Sequence, residues 1–417
     1  YVGYTVAGYD VFVLPIDRAR WTQIPDVARE PDHQTKDHPT TDHPTNDHET
    51  TDHPYSPLPT ILPRFWLPAF EASDGQLRVG AQTGGTDVLG RHVYTASALW
   101  RVAGRAEAPG SPRDDWAVSY VYDRWLPSVF ASVSDRTHFL QEVALTDGRV
   151  VNADVREQNE QVGVILPDLH ARYAHALSAS LLLQRQTINI GGLAARDSSR
   201  NGIRLAWTFS NAHTYAYSIS PEQGITIGVT GEMVRQALGA LASSDAATVD
   251  GRGYLRLGGQ HRVLAARAAF GAGWGDPRTA RRFYLGGSGG NTDPASFDSD
   301  ALNLLRGFDL NAFAGDRLAV FNAEYRVPLL RVNRGQGTFP VFLRTLHITG
   351  FFDAGKAWRD GQPVPPFAMS VGGELAATWR LGYQLPLLVA GGIAWPRPPG
   401  AGEFASPTGY VRVGYAF

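Results

Sequence analysis

The sequence has no cysteine, and it has no apolar run long enough to cross a membrane as a helix. The first absence excludes disulfides, thiolate nucleophiles and Cys-based metal sites. The second excludes a transmembrane helix in this sequence, since one needs about 18 or more consecutive apolar residues. Charged residues are also scarce, at 19%, whereas soluble domains average about 25%. The net charge of -2 indicates no polyanion, so no nucleic acid partner is expected.

Aromatic residues and glycine are what the sequence has in abundance. It contains 10 Trp, 16 Tyr, 19 Phe and 45 Gly. Low charge, many aromatics and no long apolar run are typical of a transmembrane β-barrel, whose strands are only half apolar. A large soluble β-protein has a similar composition and stays an alternative at this point.

The last eight residues alternate as a strand does. Val411, Val413, Tyr415 and Phe417 would line an apolar face, because successive side chains of a strand point to opposite sides. An apolar strand with a free edge is a liability in water, whereas a closed barrel in lipid has no free edge. We therefore interpret Val413, Tyr415 and Phe417 as a terminal strand signal.

Runs of about ten alternating residues follow one another from about residue 61, separated by Gly, Asp, Asn and Pro clusters. Fifteen segments show this pattern: 75–84, 93–102, 114–125, 128–139, 157–166, 172–186, 203–210, 222–233, 251–260, 262–274, 316–329, 343–358, 369–381, 384–395 and 409–417. The stretch 139–160 is ambiguous and is predicted to hide one more. An even total near sixteen predicts an all-β, antiparallel transmembrane barrel over 61–417.

Two segments precede the predicted barrel. Residues 1–30 contain two short strands around a Gly-Tyr-Asp turn and resemble the last blade of a Tol-type β-propeller, an isolated hairpin being the alternative. Residues 31–60 are predicted to be a disordered linker in which Asp-His recurs every five residues. The weak metal candidates there are His33, His38, His43, His48 and His53. A spacer role is favoured, since a period of five places no fixed ligand set on one face.

The alternation stops between about 275 and 315. This long Gly- and Asp-rich loop contains Arg306-Gly307-Phe308, and the segments after it contain Asn322-Ala323-Glu324 and Phe351-Phe352-Asp353. A forty-residue loop in a compact array is usually functional. These motifs, in this order before a terminal aromatic, resemble the barrel of the outer-membrane insertase superfamily, also called the bacterial surface antigen family, with BamA/TamA-like members.

The resemblance implies that this is the sixth extracellular loop and that it folds back into the barrel lumen. It also implies that the loop tip is Arg306, Gly307 and Phe308, and that the wall acceptors are Glu324 and Asp353. Strand alternation agrees, since it places Glu324 and Asp353 on the polar luminal face of consecutive strands. A guanidinium between two carboxylates forms charge-assisted bonds. The alternative is that these acids pair only with a luminal neighbour such as Arg326.

No enzymatic activity is expected. The histidines of the barrel region are scattered, and no Gly-x-Ser-x-Gly or His-Glu-x-x-His motif is present. The run 286–290 is rich in glycine but lacks the Gly-Lys-Ser/Thr ending of a phosphate-binding loop. We therefore expect no nucleotide and no other cofactor.

The resemblance implies a barrel in the bacterial outer membrane that assists insertion or translocation of polypeptides. The expected partners are outer-membrane lipids, and client polypeptides or periplasmic assembly partners. The family opens a weak seam between its first and last strands, which here would join 75–84 to 409–417. The polypeptide-transport-associated domains of the family are not recognisable. The alternatives are an anchor or narrow pore that tethers an upstream periplasmic propeller, and a soluble multi-blade β-protein.

Overall fold

The computed structural model describes most of the chain. It covers residues 2–5, 8–11, 55–63, 65–73, 76–104, 114–144, 150–190, 196–259, 261–297, 301–335, 337, 341–381 and 385–417. The chain divides into two compact units, 1–56 and 57–417. No helix in these ranges has the length and apolar character needed to span a membrane.

The first unit contains one described hairpin. Strands β1 (Val2–Thr5) and β2 (Gly8–Val11) pair antiparallel. The two short strands predicted for 1–30 are therefore present, and the resemblance to a propeller blade stays a prediction. The five linker histidines lie outside the described residues, and so does the predicted linker up to residue 54. The predicted domain boundaries likewise stay predictions.

The second unit is a sixteen-stranded antiparallel sheet, as predicted. Its first eleven strands are β3 (Phe65–Ser73), β4 (Gln76–Thr86), β5 (His92–Gly104), β6 (Asp115–Tyr122), β7 (Ser128–Ala144), β8 (Val150–Leu169), β9 (Ala174–Ile190), β10 (Arg196–Ser210), β11 (Gly224–Val234), β12 (Ser244–Arg256) and β13 (Val263–Gly275). Two short strands follow, β14 (Phe283–Leu285) and β15 (Phe313–Gly315). The last five strands of the sheet are β16 (Arg317–Gly335), β17 (Val341–Trp358), β18 (Ala368–Leu381), β19 (Leu385–Arg397) and β20 (Thr408–Val413).

The sixteenth strand is not where the sequence pattern placed it. The ambiguous stretch 139–160 holds the end of β7 and the start of β8, and the additional strand is β3. Its sequence includes Pro68, which lacks a backbone N–H and weakens a strand prediction. Proline is tolerated on β3 because, among the described residues, this strand pairs only with β4 and lies at the edge of the sheet.

The sheet is apolar outside and polar inside. On β10, Ile203, Leu205 and Trp207 are 41%, 46% and 36% exposed. Arg200 on the same strand is 4% exposed and donates to Glu232 of β11. This is the distribution of a barrel whose outer surface faces lipid and whose lumen holds the charges.

One long connection interrupts the regular order of hairpins. Residues 276–316, here called loop 6, join β13 to β16, which are neighbours in the sheet. This is the sixth connection at its end of the barrel, as predicted. Within it, β14 and β15 form a hairpin of their own.

Candidate functional site

The base of loop 6 packs against the barrel wall inside the lumen. Phe283 and Leu285 of β14 are 2% and 0% exposed. A Cβ added at Gly271 of β13 would lie 2.8 Å from the Phe283 ring, and one added at Gly355 of β17 would lie 2.7 Å from Leu285. The wall therefore has glycine where the loop needs room, and the loop fits closely against it.

Deeper in the lumen, Arg306 of loop 6 meets Asp353 of β17. Its backbone N–H and its Nε both donate to Oδ2, at 3.1 and 2.8 Å, and its Nη2 donates to Oδ1 at 2.7 Å. Asn322 of β16 donates to the same Oδ1 at 2.9 Å and to the Leu304 carbonyl at 3.1 Å. Asp353 thus binds both the side chain and the main chain of the loop tip.

The second predicted acceptor, Glu324 of β16, is shared between two arginines. Its Oε1 accepts from Nη1 of Arg306 at 2.6 Å, and its Oε2 accepts from Nε of Arg326 at 2.7 Å. The structure therefore brings Arg306 to both predicted acceptors, and the alternative pairing with Arg326 is present beside it. The Arg306 guanidinium also lies 3.7 Å from the centre of the Phe351 ring, a cation–π contact.

Gly307 turns the chain at the loop tip. Its φ is +88°, and an added Cβ would lie 2.9 Å from Cβ of Ala394 on β19. Both facts favour glycine here. Phe308 packs edge-on against Phe313 of β15, with ring centroids 5.4 Å apart.

The adjoining strands β12 and β13 hold the main chain of loop 6 through two arginines. Arg267 of β13 and Arg252 of β12 both bond to Asp250. Both arginines also donate to loop carbonyls: Nη2 of Arg267 to Ala301 at 3.0 Å and Nη1 of Arg252 to Thr292 at 2.7 Å. Loop 6 is thus held by one continuous stretch of wall from β12 to β18.

The predicted terminal strand is shorter than the sequence pattern indicated. Strand β20 ends at Val413, and Gly414 follows with φ +92°. Val413 is 51% exposed and Tyr415 is 39% exposed, but Phe417 is 4% exposed. The prediction that Phe417 lies on the outer apolar face is therefore wrong, because the left-handed turn at Gly414 ends the alternation.

Residues 414–417, the terminal segment, enter the lumen beneath loop 6. Phe417 packs with Val263 of β13 and Leu304 of loop 6. The guanidinium of Arg326 lies 5.0 Å from the Phe417 ring centroid, and Nη2 donates to the Phe417 carbonyl at 3.2 Å. The terminal segment and the loop thus share one packed interior.

The seam of the barrel lies between β3 and β20. Within the described ranges, β3 pairs only with β4 and β20 only with β19, and no backbone pairing joins β3 to β20. The predicted location of the seam at 75–84 is wrong, since that segment is β4, the second strand of the barrel. Gly80 and Gly84 of this strand pair with both of its neighbours, β3 and β5.

At the end opposite loop 6, a wide turn of residues 211–223 joins β10 to β11. Its anchor is Glu222, which is 0% exposed. The carboxylate contacts Nδ1 of His261 at 2.5 Å and accepts bonds from Ser218 at 2.6 Å and Arg256 at 2.7 Å. Burial raises the pKa of Glu222, but the hydrogen bonds from Ser218 and His261, together with Arg256, outweigh it and hold this pKa below its usual value.

The wide turn also reaches a strand beyond its own hairpin. The guanidinium of Arg331 on β16 lies 5.0 Å from the ring of Tyr217. Because β10 and β16 are separated by three strands, the turn extends beneath the lumen. A cavity of about 610 Å³ lies between this turn, the wall and the terminal segment.

The sequence analysis missed Glu374 of β18. It is 3% exposed, and its Oε1 accepts from Arg306 at 3.2 Å. Its position could have been found, since 369–381 was predicted as a strand and alternation places Glu374 on the luminal face with Ser370. Glu222 was missed because contacts between separate turns leave no periodic signal.

Comparisons with known proteins agree with this architecture. A family profile described as the Omp85 superfamily domain matches residues 145–397, more than half of the chain. A comparison with curated proteins gave no match. The propeller resemblance of residues 1–30 lies outside the matched region.

Solved structures share the fold at low sequence identity. CdiB from Escherichia coli superposes with a TM-score of 0.56 at 11% identity, covering 84% of this chain and 61% of its own. BamA from Haemophilus ducreyi lacking POTRA domains 1-3 gives 0.53 at 12% identity, covering 83% of this chain and 69% of its own. CdiB from Acinetobacter baumannii gives 0.52 at 11% identity, with 83% and 58%. The chain thus spans about three fifths of the two CdiB chains.

The family match fits the residues described above: a sixteen-stranded barrel, a long loop inside the lumen, and a buried arginine of that loop held by carboxylates of the wall. The apolar outer surface lies in the lipid of the bacterial outer membrane. This chain therefore belongs to the Omp85 superfamily of outer-membrane β-barrel proteins.

Proposed function

We propose that this barrel inserts or translocates polypeptides at the outer membrane by opening the seam between β3 and β20. The observation that carries the proposal is that no backbone pairing joins these two strands within the described ranges. Their unpaired N–H and C=O groups form an edge that can add an incoming strand, a mode of recognition known as β-augmentation. Client polypeptides are the expected partners.

The composition of the two seam strands supports opening. Strand β20 has six residues and pairs with β19 over only that length. Strand β3 contains Pro68, which offers no N–H to a partner. A short strand facing a proline-containing strand can form few hydrogen bonds across the seam, so little holds the two edges together.

In this proposal, loop 6 closes the lumen while no client is bound. Arg306, Gly307 and Phe308 form its docking tip, and Glu324 and Asp353 are its acceptors on the wall. The bonds from Arg306 to both carboxylates support these roles. Since the lumen is occupied by the loop and the wide turn, a client strand would enter at the seam.

Disulfide trapping tests the proposal without interference from native thiols, since the chain has no cysteine. Cysteine replaces Trp66, on the outward face of β3, combined in turn with cysteine at Gly409, Val411 or Val413, which lie on the outward face of β20. The readout is insertion of an unfolded outer-membrane barrel protein into proteoliposomes. Oxidation of a pair that crosslinks is expected to abolish insertion, and reduction to restore it.

The matched control is a crosslink within the wall. Ala81 of β4 and Ala98 of β5 face each other in register, so cysteines there join two strands that stay paired. This variant is expected to insert the client whether oxidised or reduced. Full activity of the crosslinked seam would reject the proposal, and a steady conductance that does not depend on Arg306 would favour an anchor or narrow pore.

A further inference from the structure

Glu374 of β18 is bound from two directions. One of its oxygens, Oε1, accepts from Nη1 of Arg306 at 3.2 Å and from the Tyr410 hydroxyl at 2.7 Å. The other, Oε2, accepts from Nη2 of Arg412 at 2.6 Å. Arg306 is the tip of loop 6, whereas Tyr410 and Arg412 belong to β20. A single carboxylate therefore joins the loop to the last strand of the barrel.

A glycine makes this connection possible. Glu374, Gly392 and Tyr410 occupy one row across β18, β19 and β20, since Glu374 pairs with Gly392 and Gly392 with Tyr410. An added Cβ at Gly392 would lie 2.5 Å from Cζ of Tyr410 and 3.0 Å from Cγ of Glu374. The Tyr410 side chain thus lies across the intervening strand, over the position that has no side chain.

A second carboxylate makes a parallel connection. Glu324 binds Arg306 through Oε1 and Arg326 through Oε2. Arg326 in turn donates to the carbonyl of Phe417, which follows β20. The loop tip is linked both to β20 itself and to the segment that continues it.

Loop docking strengthens these bonds because it keeps water away from them. Arg306, Leu304 and Leu305 of loop 6 are each 0% exposed, and Glu374 and Arg412 are 3% and 6% exposed. A hydrogen bond to a charged group contributes more to stability when it is shielded from water than an exposed ion pair does. If the loop leaves, Glu374 becomes solvated and its hold on β20 weakens.

We propose that Glu374 is a positioning residue that couples docking of Arg306 to retention of β20 in the barrel wall. Undocking of loop 6 then frees the strand at the seam, and release of β20 in turn loosens the loop, because coupling between two sites acts equally in both directions. The inference deepens the proposed function, since it concerns the strand that would move when the seam opens.

Hydrogen exchange of the full chain in lipid vesicles, with no client present, tests the coupling. Arg306→Ala is expected to speed exchange of the amides of 408–413 about tenfold, the difference between shielded and exposed bonds. In the other direction, Tyr410→Phe removes one hydroxyl from β20. It is expected to increase tryptic cleavage after Arg306 by a similar factor, with the cleavage site identified by mass spectrometry.

The Glu374→Gln variant tests whether the Glu374 carboxylate is responsible for the coupling between loop 6 and β20. In that background, Tyr410→Phe is expected to change cleavage after Arg306 by less than about twofold, because the charged acceptor is already gone. The matched control is Asp135→Asn on β7, a buried carboxylate that binds Arg156 of the neighbouring strand β8. Neither strand is a neighbour of β20 in the sheet, so exchange of 408–413 is expected to stay at the wild-type rate.

Two results would overturn the inference. One is unchanged exchange of 408–413 in Arg306→Ala together with unchanged cleavage in Tyr410→Phe. The other is an effect of Tyr410→Phe that persists in full when residue 374 is Gln. This test uses no client, so the coupling can be measured separately from insertion. If the chain shows the coupling but inserts no client, this inference stands and the proposed function is rejected.

Discussion

Arg306 and Asp353 form a two-pronged ion pair in the interior of the barrel. Nε bonds to Oδ2 at 2.8 Å and Nη2 bonds to Oδ1 at 2.7 Å, and both side chains are 0% exposed. The two residues are 47 positions apart in the chain. Their pairing therefore determines where loop 6 lies in the lumen, and the planar fork of arginine suits a carboxylate better than an ammonium does.

Replacement of Arg306 is expected to destabilise the barrel. Arg306→Ala leaves Asp353, Glu324 and Glu374 buried with one cation fewer, and loss of a partner from a buried pair costs about 3–5 kcal/mol. Arg306→Lys is expected to recover only part of the loss, since Lys cannot make the fork. Unfolding by urea in detergent micelles, followed by tryptophan fluorescence, measures both variants.

Arg278→Ala is the control for these variants. Arg278 lies in the same loop, is exposed, and pairs with Asp276 near the surface. Exposed pairs contribute about 0–1 kcal/mol, so this variant is expected to unfold close to the wild type. Equal stability of Arg306→Ala and the wild type would contradict the docking account.

Gly307→Ala is expected to loosen the loop tip. Position 307 has φ +88°, where a residue with a Cβ is strained by about 1–2 kcal/mol, and the new methyl would lie 2.9 Å from Ala394. Tryptic cleavage after Arg306 is expected to rise. Gly289→Ala in the same loop is the comparison, because its Cβ would meet nothing within 4 Å; equal cleavage of the two variants would show that the turn at 307 is dispensable.

The terminal segment offers a second test of backbone geometry. With Ala416→Cys as a reporter, Gly414→Ala is expected to speed maleimide labelling about tenfold, because an alanine at φ +92° is strained by about 1–2 kcal/mol and the segment leaves the lumen more often. Gly409→Ala on β20, where a Cβ also has open space, serves as the control. If labelling is equally slow in both variants, residue 416 stays in the lumen without the glycine conformation at position 414, and the turn is not what holds the segment there.

The wide turn is expected to open in acid. The pKa of Glu222 is lowered in the folded protein, against the effect of burial, by its bonds to Ser218, His261 and Arg256. A carboxyl with a depressed folded pKa stabilises the fold above its unfolded pKa, about 4.3, and loses that contribution as the pH falls through the folded value. Conductance in planar bilayers is therefore expected to rise below about pH 4.

Glu222→Gln separates this carboxyl from the others. The variant lacks the charge at every pH, so its conductance is expected to be raised already at pH 7 and to change little between pH 5 and the acid range. Asp276→Asn, which alters a partly exposed carboxylate of loop 6, should keep the wild-type curve. If Glu222→Gln follows the wild-type curve instead, the turn does not gate the lumen.

The sequence contained much of this architecture. Alternation located most strands, because a half-apolar strand repeats every two residues, and it placed Glu324 and Asp353 on the luminal face. It missed β3 because the strand contains Pro68, and proline is tolerated in a strand only at the edge of a sheet. It also failed after Val413, since alternation carries no information about a left-handed turn at Gly414.

The contacts of Glu374 show a different limit. Its luminal side followed from alternation, but its partners depend on register across three strands and on the gap at Gly392. The contacts of Glu222 depend on where two turns meet in space. Neither kind of information is periodic along the chain, so neither could be predicted from one sequence.

Photo-crosslinking during client insertion tests the central claim most directly. Benzoylphenylalanine replaces Trp66, an outward residue of β3 that is 73% exposed, or Trp207, an outward residue of β10 that is 36% exposed. If clients add to the seam, irradiation during insertion should produce a client adduct from position 66 and none from position 207. Equal adducts from both positions, or an adduct from 207 alone, would contradict entry at the seam between β3 and β20.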